Sequence, residues 1–253
     1  MRKTITKFVG TLPRAFVAGV ALLVGGVAAP TWAVPITKQL VVNVITVCDN
    51  AGLNCASHGP AGNSFYEAEA DKIWAQAGID IKFVDSGTLN STALLTGGTG
   101  VGSFTGALGP TGTTMWLTSD LACGPPACTL YGEAYIDLGG LVINMGAVTA
   151  FNSPIGRIDT IAHELGHNLG LLHDDSNANF LIAAGSVRNI PSSLGQICPD
   201  APCYDLLSAA QIANAFDSAL LIPFAPAPEP SGLALVAVAL LSAAGLARRR
   251  RRT

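Results

Sequence analysis

Basic residues are nearly missing from the middle of this chain. It has 14 lysines and arginines, yet between residues 34 and 230 only Lys38, Lys72, Lys82, Arg157 and Arg188 occur, beside all 17 acids. The stretch therefore carries a formal charge of 5 − 17 = −12. Such a surface repels phosphate backbones and excludes nucleic acid as a partner. No CxxC spacing occurs among the six cysteines, which argues against a thiolate metal site. The Gly/Thr/Ser-rich stretch 86–114 lacks the GxxxxGKS/T order and its lysine, which excludes a phosphate cradle and leaves a long surface loop. No methionine follows Met145, and there is no internal repeat.

The two ends read as sorting signals. Arg2, Lys3, Lys7 and Arg14 precede an apolar run over 15–29, and Thr31-Trp32-Ala33 offers a cleavage site after Ala33. A signal peptide over 1–33 fits this pattern, and a retained anchor is its competitor. At the other end Pro228-Glu229-Pro230 precedes an uncharged run over 231–247 and then the arginines 248–252. That run is just long enough to cross a bilayer, and the arginines place the C-terminus in the cytoplasm. An even cysteine count in an exported chain implies disulfides, here in three close pairs: Cys48 with Cys55, Cys123 with Cys128, Cys198 with Cys203. What remains, 34–222, is long enough for one domain with a real core, followed by a proline-rich linker over 223–230.

Within that domain, residues 39–47 are β-branched and read as a buried strand. A helix opens at Asn63-Ser64, runs through Tyr66, Ala70, Ile73, Trp74 and Ala77, and ends at Gly78. Residues 79–84 alternate as a half-buried strand does, and 114–117, 131–136 and 141–145 are three further short strands. Ser208 caps a last helix through Ile212, Ala215, Phe216 and Ala219. A strand-helix-strand opening followed by strands predicts an α/β fold around a mixed sheet.

The chemistry concentrates in the run His163-Glu164-Leu165-Gly166-His167-Asn168-Leu169-Gly170-Leu171-Leu172-His173. Ser153-Pro154, a cap residue followed by proline, predicts the start of its helix. Histidines four apart on a helix lie about 40° apart in projection, so both imidazoles can reach one ion. Ile158, Ile161, Ala162, Leu165 and Leu169 fall on the opposite side and predict the buried face. Gly170 can take a positive φ and turn the chain, so that His173 returns as a third ligand. Three protein ligands and one open position are what catalytic zinc needs. Glu164, beside the first histidine but not a ligand, is placed to accept a proton from water at the metal. The remaining histidine, His58, lies in a Gly/Pro/Ser-rich loop and reads as a surface residue.

The run HELGHNLGLLHD resembles the metzincins, and within them the adamalysin (reprolysin) branch, which Asn168, Leu169 and Asp174 match beyond the metal residues. The resemblance implies an α/β (α+β) fold over 34–222. A mixed, mostly parallel five-stranded sheet with two helices would lie above a smaller, irregular C-terminal subdomain with one helix. It implies Zn²⁺ on His163, His167 and His173, and a zinc-dependent endopeptidase hydrolysing protein or peptide substrates by a zinc-bound water activated by Glu164. Residues 132–136 resemble the family's edge strand, which pairs with the substrate backbone. The family's turn methionine is missing: residues 179–185 stand in its place, with Ile182 as the substitute. A non-catalytic, zinc-stabilised surface or matrix protein is the competing reading, favoured by Ile182 and opposed by the intact Glu164.

The Pro-Glu-Pro, apolar run and arginines together resemble the PEP-CTERM sorting signal of Gram-negative bacteria. That implies an exosortase-type processing enzyme, at least transient membrane contact through 231–247, and a place at the cell surface or in the extracellular matrix. A plain single-span anchor fits the same physics.

Overall fold

The computed structural model describes residues 34–104, 112–123 and 128–225. The two segments expected to be sorting signals, 1–33 and 231–253, and residues 226–230 of the expected linker lie outside these. Among the described residues no helix is long and apolar enough to cross a membrane.

Among the described residues six strands form one sheet. β1 (Lys38–Cys48) is central and pairs in parallel with β2 (Ile79–Asn90) and β3 (Thr113–Thr118). β3 pairs in parallel with β5 (Leu141–Asn144), and β5 pairs antiparallel with β4 (Gly132–Ala134) at the edge. The two-residue β6 (Ile222–Pro223) lies antiparallel to the start of β1. The sheet is thus mixed and mostly parallel. Every residue of β3 and β5 is buried, as expected for strands covered on both faces.

Helix α1 (Glu67–Trp74) follows β1, buries Ala70, Ile73 and Trp74, and ends through a short turn at Gly78, whose φ of 69° a side chain would resist. The stretch expected to be a loop from 86 to 114 is more ordered than that. β2 continues to Asn90, and α2 (Thr92–Gly97) follows, capped by Ser91 Oγ accepting from Leu94 N–H at 3.2 Å. The outer half of β2 is solvent-exposed and accordingly polar, so its apolar alternation fades before the strand does. Met145, expected to end a strand, begins α3 (Met145–Ala150), because Asn144 Oδ1 caps Ala147 N–H at 3.0 Å.

The helix carrying the motif, α4 (Thr160–Asn168), starts later than Ser153-Pro154 predicts. Gly156, with φ 87°, interrupts any helix begun there. The five residues expected on its apolar face are all buried. Beyond it the chain is irregular until α5 (Ala209–Phe216), which Ser208 and Gln211 open with a reciprocal capping box and which stops short of Ala219. All three local disulfides are formed.

Candidate metal centre

α4 ends in a two-bond turn around Gly170, whose φ is 87°. Gly170 N–H donates to His167 O and Leu171 N–H to Gly166 O, both at 2.9 Å, so helix carbonyls are satisfied while the chain reverses. The reversal brings His173 back over the helix. The ring centroids of His163, His167 and His173 stand 4.9–5.4 Å apart, and each ring offers one nitrogen within 4.8 Å of the others. His163 and His173 face each other through Nε2 atoms 3.4 Å apart. This is a donor set that could hold a metal ion.

The imidazoles are held from outside the cluster. His163 Nδ1 bonds Leu181 O and His167 Nδ1 bonds Leu171 O, each at 2.7 Å. A carbonyl can only accept, so His167 Nδ1 carries its proton and leaves Nε2 as the ligand atom; at His163 the Leu181 carbonyl also takes Arg188 Nη1, a donor that contacts Nδ1. Burial, then the nearby Arg188 charge, pushes the His163 pKa well below its usual value; burial likewise lowers that of His167. Neutral imidazole is the ligand form, so the residues present fit a zinc-type ion.

Glu164 is buried between α4 and the edge strand β4. A Cβ on Gly132 would lie 2.8 Å from Glu164 Cγ, so glycine there lets the strand close over the carboxyl. Burial raises the Glu164 pKa to about 8; Arg188 and Arg157 oppose this and Glu133 adds to it. β4 has a partner on one side only, so its outer edge is free to take a peptide backbone among the described residues.

Asn168, matched by resemblance, serves the scaffold. Its Oδ1 accepts from Thr113 Oγ1 at 2.6 Å, and its Nδ2 donates to Tyr135 O and Gly140 O, both at 2.9 Å, tying α4 to the sheet. Asp174 Oδ2 accepts from Gln211 Nε2 at 3.1 Å, which anchors the chain just after His173 to α5. Ile182 is fully buried beneath α4, and its Cδ1 lies 3.0 Å from where a Gly166 Cβ would be. It therefore underlies the helix between the two histidines. His58 is surface-exposed, as expected, with Thr46 Oγ1 2.8 Å from its Nε2.

A buried ionic cluster behind the histidines has no counterpart in the sequence reading. Arg188 Nη2 lies 3.0 Å from Asp159 Oδ2, its Nη1 donates to Leu181 O at 2.5 Å and also contacts His163 Nδ1. Arg157 Nε is 3.7 Å from Asp159 Oδ1. Asp205 completes the cluster, its pKa raised well above the usual carboxylate range by burial and then by the Asp159 charge. A lone arginine carries no spacing signal. The one clue was that two of the five basic residues between 34 and 230 flank the motif.

No protein-family model matches the chain, and no curated protein does. Among solved structures, an archaemetzincin from Methanopyrus kandleri is 15% identical, with a TM-score of 0.45 over 70% of this chain and 94% of that one. An archaemetzincin from Archaeoglobus fulgidus is 16% identical, with a TM-score of 0.39 over 70% and 99%. A zinc-dependent peptidase from Methanocorpusculum labreanum is 12% identical, with a TM-score of 0.39 over 69% and 99%. Likeness at this level fixes neither family nor activity, so the functional reading stands on the site's own geometry.

Proposed function

We propose that this chain is a zinc-dependent endopeptidase with His163, His167 and His173 as metal ligands and Glu164 as general base. The observation that carries it is the convergence of three inward imidazole nitrogens beside a buried carboxyl, under an open strand edge. A zinc ion held there supplies a Lewis acid and a water acidified toward neutral pH. The chain's own groups do the rest. β4 pairs with the substrate backbone and holds the scissile bond across the cleft. Glu164 takes a proton from the attacking water and delivers it to the leaving amine. Leu171 O holds the His167 imidazole in the ligand tautomer.

We place the substrate among extracellular or cell-surface proteins, on the strength of the end segments and the paired cysteines. An exosortase-type enzyme processing the tail belongs to the same proposal. Mass spectrometry of protein recovered outside the cell should then find a C-terminus near 228–230, whereas an intact end at 248–252 would favour a permanent anchor.

The central test separates base from ligands. Glu164→Gln keeps the shape but cannot accept a proton, so casein or gelatin cleavage should fall by at least about 10²-fold. Zinc should stay near one ion per chain, because no ligand is lost. His167→Ala should lose both zinc and activity. Zinc retained with no cleavage by the wild type would instead support the non-catalytic, zinc-stabilised reading.

A further inference from the structure

The cleft differs on its two sides. On one, a cavity of about 340 Å³ runs past the histidines along Leu130, Ala134, Ile136 and Leu172, an apolar lining in which Ile136 is 50% and Leu172 65% exposed. On the other, a cavity of about 360 Å³ leads between Tyr131 and the 185–186 turn to Arg157 and Arg188. Both cavities reach His163, His173 and Glu164, so a peptide crossing the site places one neighbour of the scissile bond in each.

The two arginines are not equivalent. Arg188 is engaged by Asp159 and Leu181 O. Arg157 has only the distant Nε contact to Asp159, and its terminal nitrogens make no hydrogen bond among the described residues. Its guanidinium lies over the Tyr131 ring at 4.5 Å, with Phe151 at 5.8 Å, and its side chain is only 8% exposed. The 185–186 turn leaves it room: a Cβ on Gly185 would stand 3.1 Å from Arg157 Nη2. Arg157 thus stands at a cavity large enough for a side chain. A buried cation is stable only with a charged or strongly hydrogen-bonding partner, and a planar guanidinium suits a carboxylate.

We propose that this cavity is a specificity subsite in which Arg157 binds a carboxylate of the peptide substrate next to the scissile bond, opposite an apolar residue in the other cavity. The inference rests on the peptidase reading. The carboxylate has two sources, an Asp or Glu side chain or the free C-terminus of a short substrate.

The test uses quenched fluorescent peptides carrying Glu, Gln, Leu or Lys beside the cleaved bond, each with a free or an amidated C-terminus. The wild type should show kcat/KM at least about tenfold higher for Glu than for Gln, or for free over amidated ends, as a charge-assisted bond gives. The first pattern assigns a side-chain subsite, the second a C-terminal one. Arg157→Gln should abolish that ratio and Arg157→Lys should keep part of it. Should Arg157→Gln fail to fold, Ser186→Glu decides, because it places a negative charge on the exposed wall of the same cavity and should also collapse the ratio. No preference in the wild type overturns the subsite, as does an equal loss on every peptide in Arg157→Gln, which would mean that Arg157 acts on Glu164. Calorimetry of the Glu and Gln peptides on the Glu164→Gln protein separates the two readings. Glu-selective binding without cleavage by the wild type keeps the subsite and removes the peptidase; cleavage without selectivity does the reverse.

Discussion

Gly166 lies on α4 between His163 and His167, and the side chain below it is Ile182. A mid-helix glycine normally costs about 1 kcal/mol relative to alanine. Here a methyl would meet Ile182 Cδ1 at 3.0 Å, with Trp74 and Leu171 no nearer than 3.6 Å. Gly166→Ala alone should therefore bring little or none of that gain. In an Ile182→Val background, which removes Cδ1 at a cost of about 1 kcal/mol, the same change should stabilise. A double-mutant cycle by urea denaturation reads the coupling, and simple additivity would mean that the two residues do not constrain each other. At this scale the site divides into a legible and an illegible half. His163, Glu164, His167 and His173 declare themselves through fixed offsets on a helix and a glycine turn. Arg157 and Asp159 sit two residues apart just before α4, and they meet Arg188 and Asp205 only because the chain after α4 folds back beneath it. No spacing in the sequence encodes that meeting.

Elements were legible where burial on one face imposes a period. β1, β3, β5 and α1 follow their apolar patterns closely, since each has a face in the core. The outer half of β2 and the starts of α1 and α4 were misread: an exposed strand needs no apolar residues, positive φ at Phe65 and Tyr66 delays α1 to Glu67, and a glycine at 156 outranks a proline cap signal at 154. α1 and β2 also share a titrating contact. Asp71 on α1 accepts from Ile81 N–H on β2 at 3.2 Å, and its pKa is raised to about 6 by burial, despite that bond, with Asp80 and Glu67 adding to the rise. A carboxyl with a folded pKa above its unfolded 3.8 is favoured by the fold while protonated. Its contribution is complete below about pH 4 and is lost as pH climbs through 6. Because the group is only half-buried, solvent screening reduces the loss to about 1 kcal/mol. Asp71→Asn keeps the acceptor without the charge. Its melting temperature should exceed that of the wild type by about 3 °C at pH 7.5 and equal it at pH 3.5. A lower value at pH 7.5 would show that the charged form stabilises the α1–β2 contact.

Across the whole molecule, the histidine cluster joins α4 to the irregular chain beyond Gly170, beside the Asp159–Arg188 ion pair and the packing of Ile182. Loading it with zinc should stabilise the folded state by about 4 kcal/mol at a thousandfold excess over Kd. For a domain of this size, chelation should lower the melting temperature by roughly 10 °C, and added zinc should restore it. An unchanged melting temperature would mean that the three histidines hold no ion. The three disulfides close loops of only a few residues and should contribute about 2–3 kcal/mol each, so the metal-free domain should remain folded at room temperature. The mixed sheet was legible at this scale, but the pairing of β6 with β1 was not, since two residues carry no period. That small pairing has a mechanical meaning. Lys38 faces Pro223, Gln39 faces Ile222, and Phe224 N–H donates to Thr37 O at 2.9 Å, so the chain enters and leaves the domain side by side. Tethers attached at both points would act as a single swivel, leaving the cleft free to turn toward its substrate. A force pulling the two points apart would open β6 like a zip, one bond at a time, before any load reached the long parallel ladder between β1 and β2.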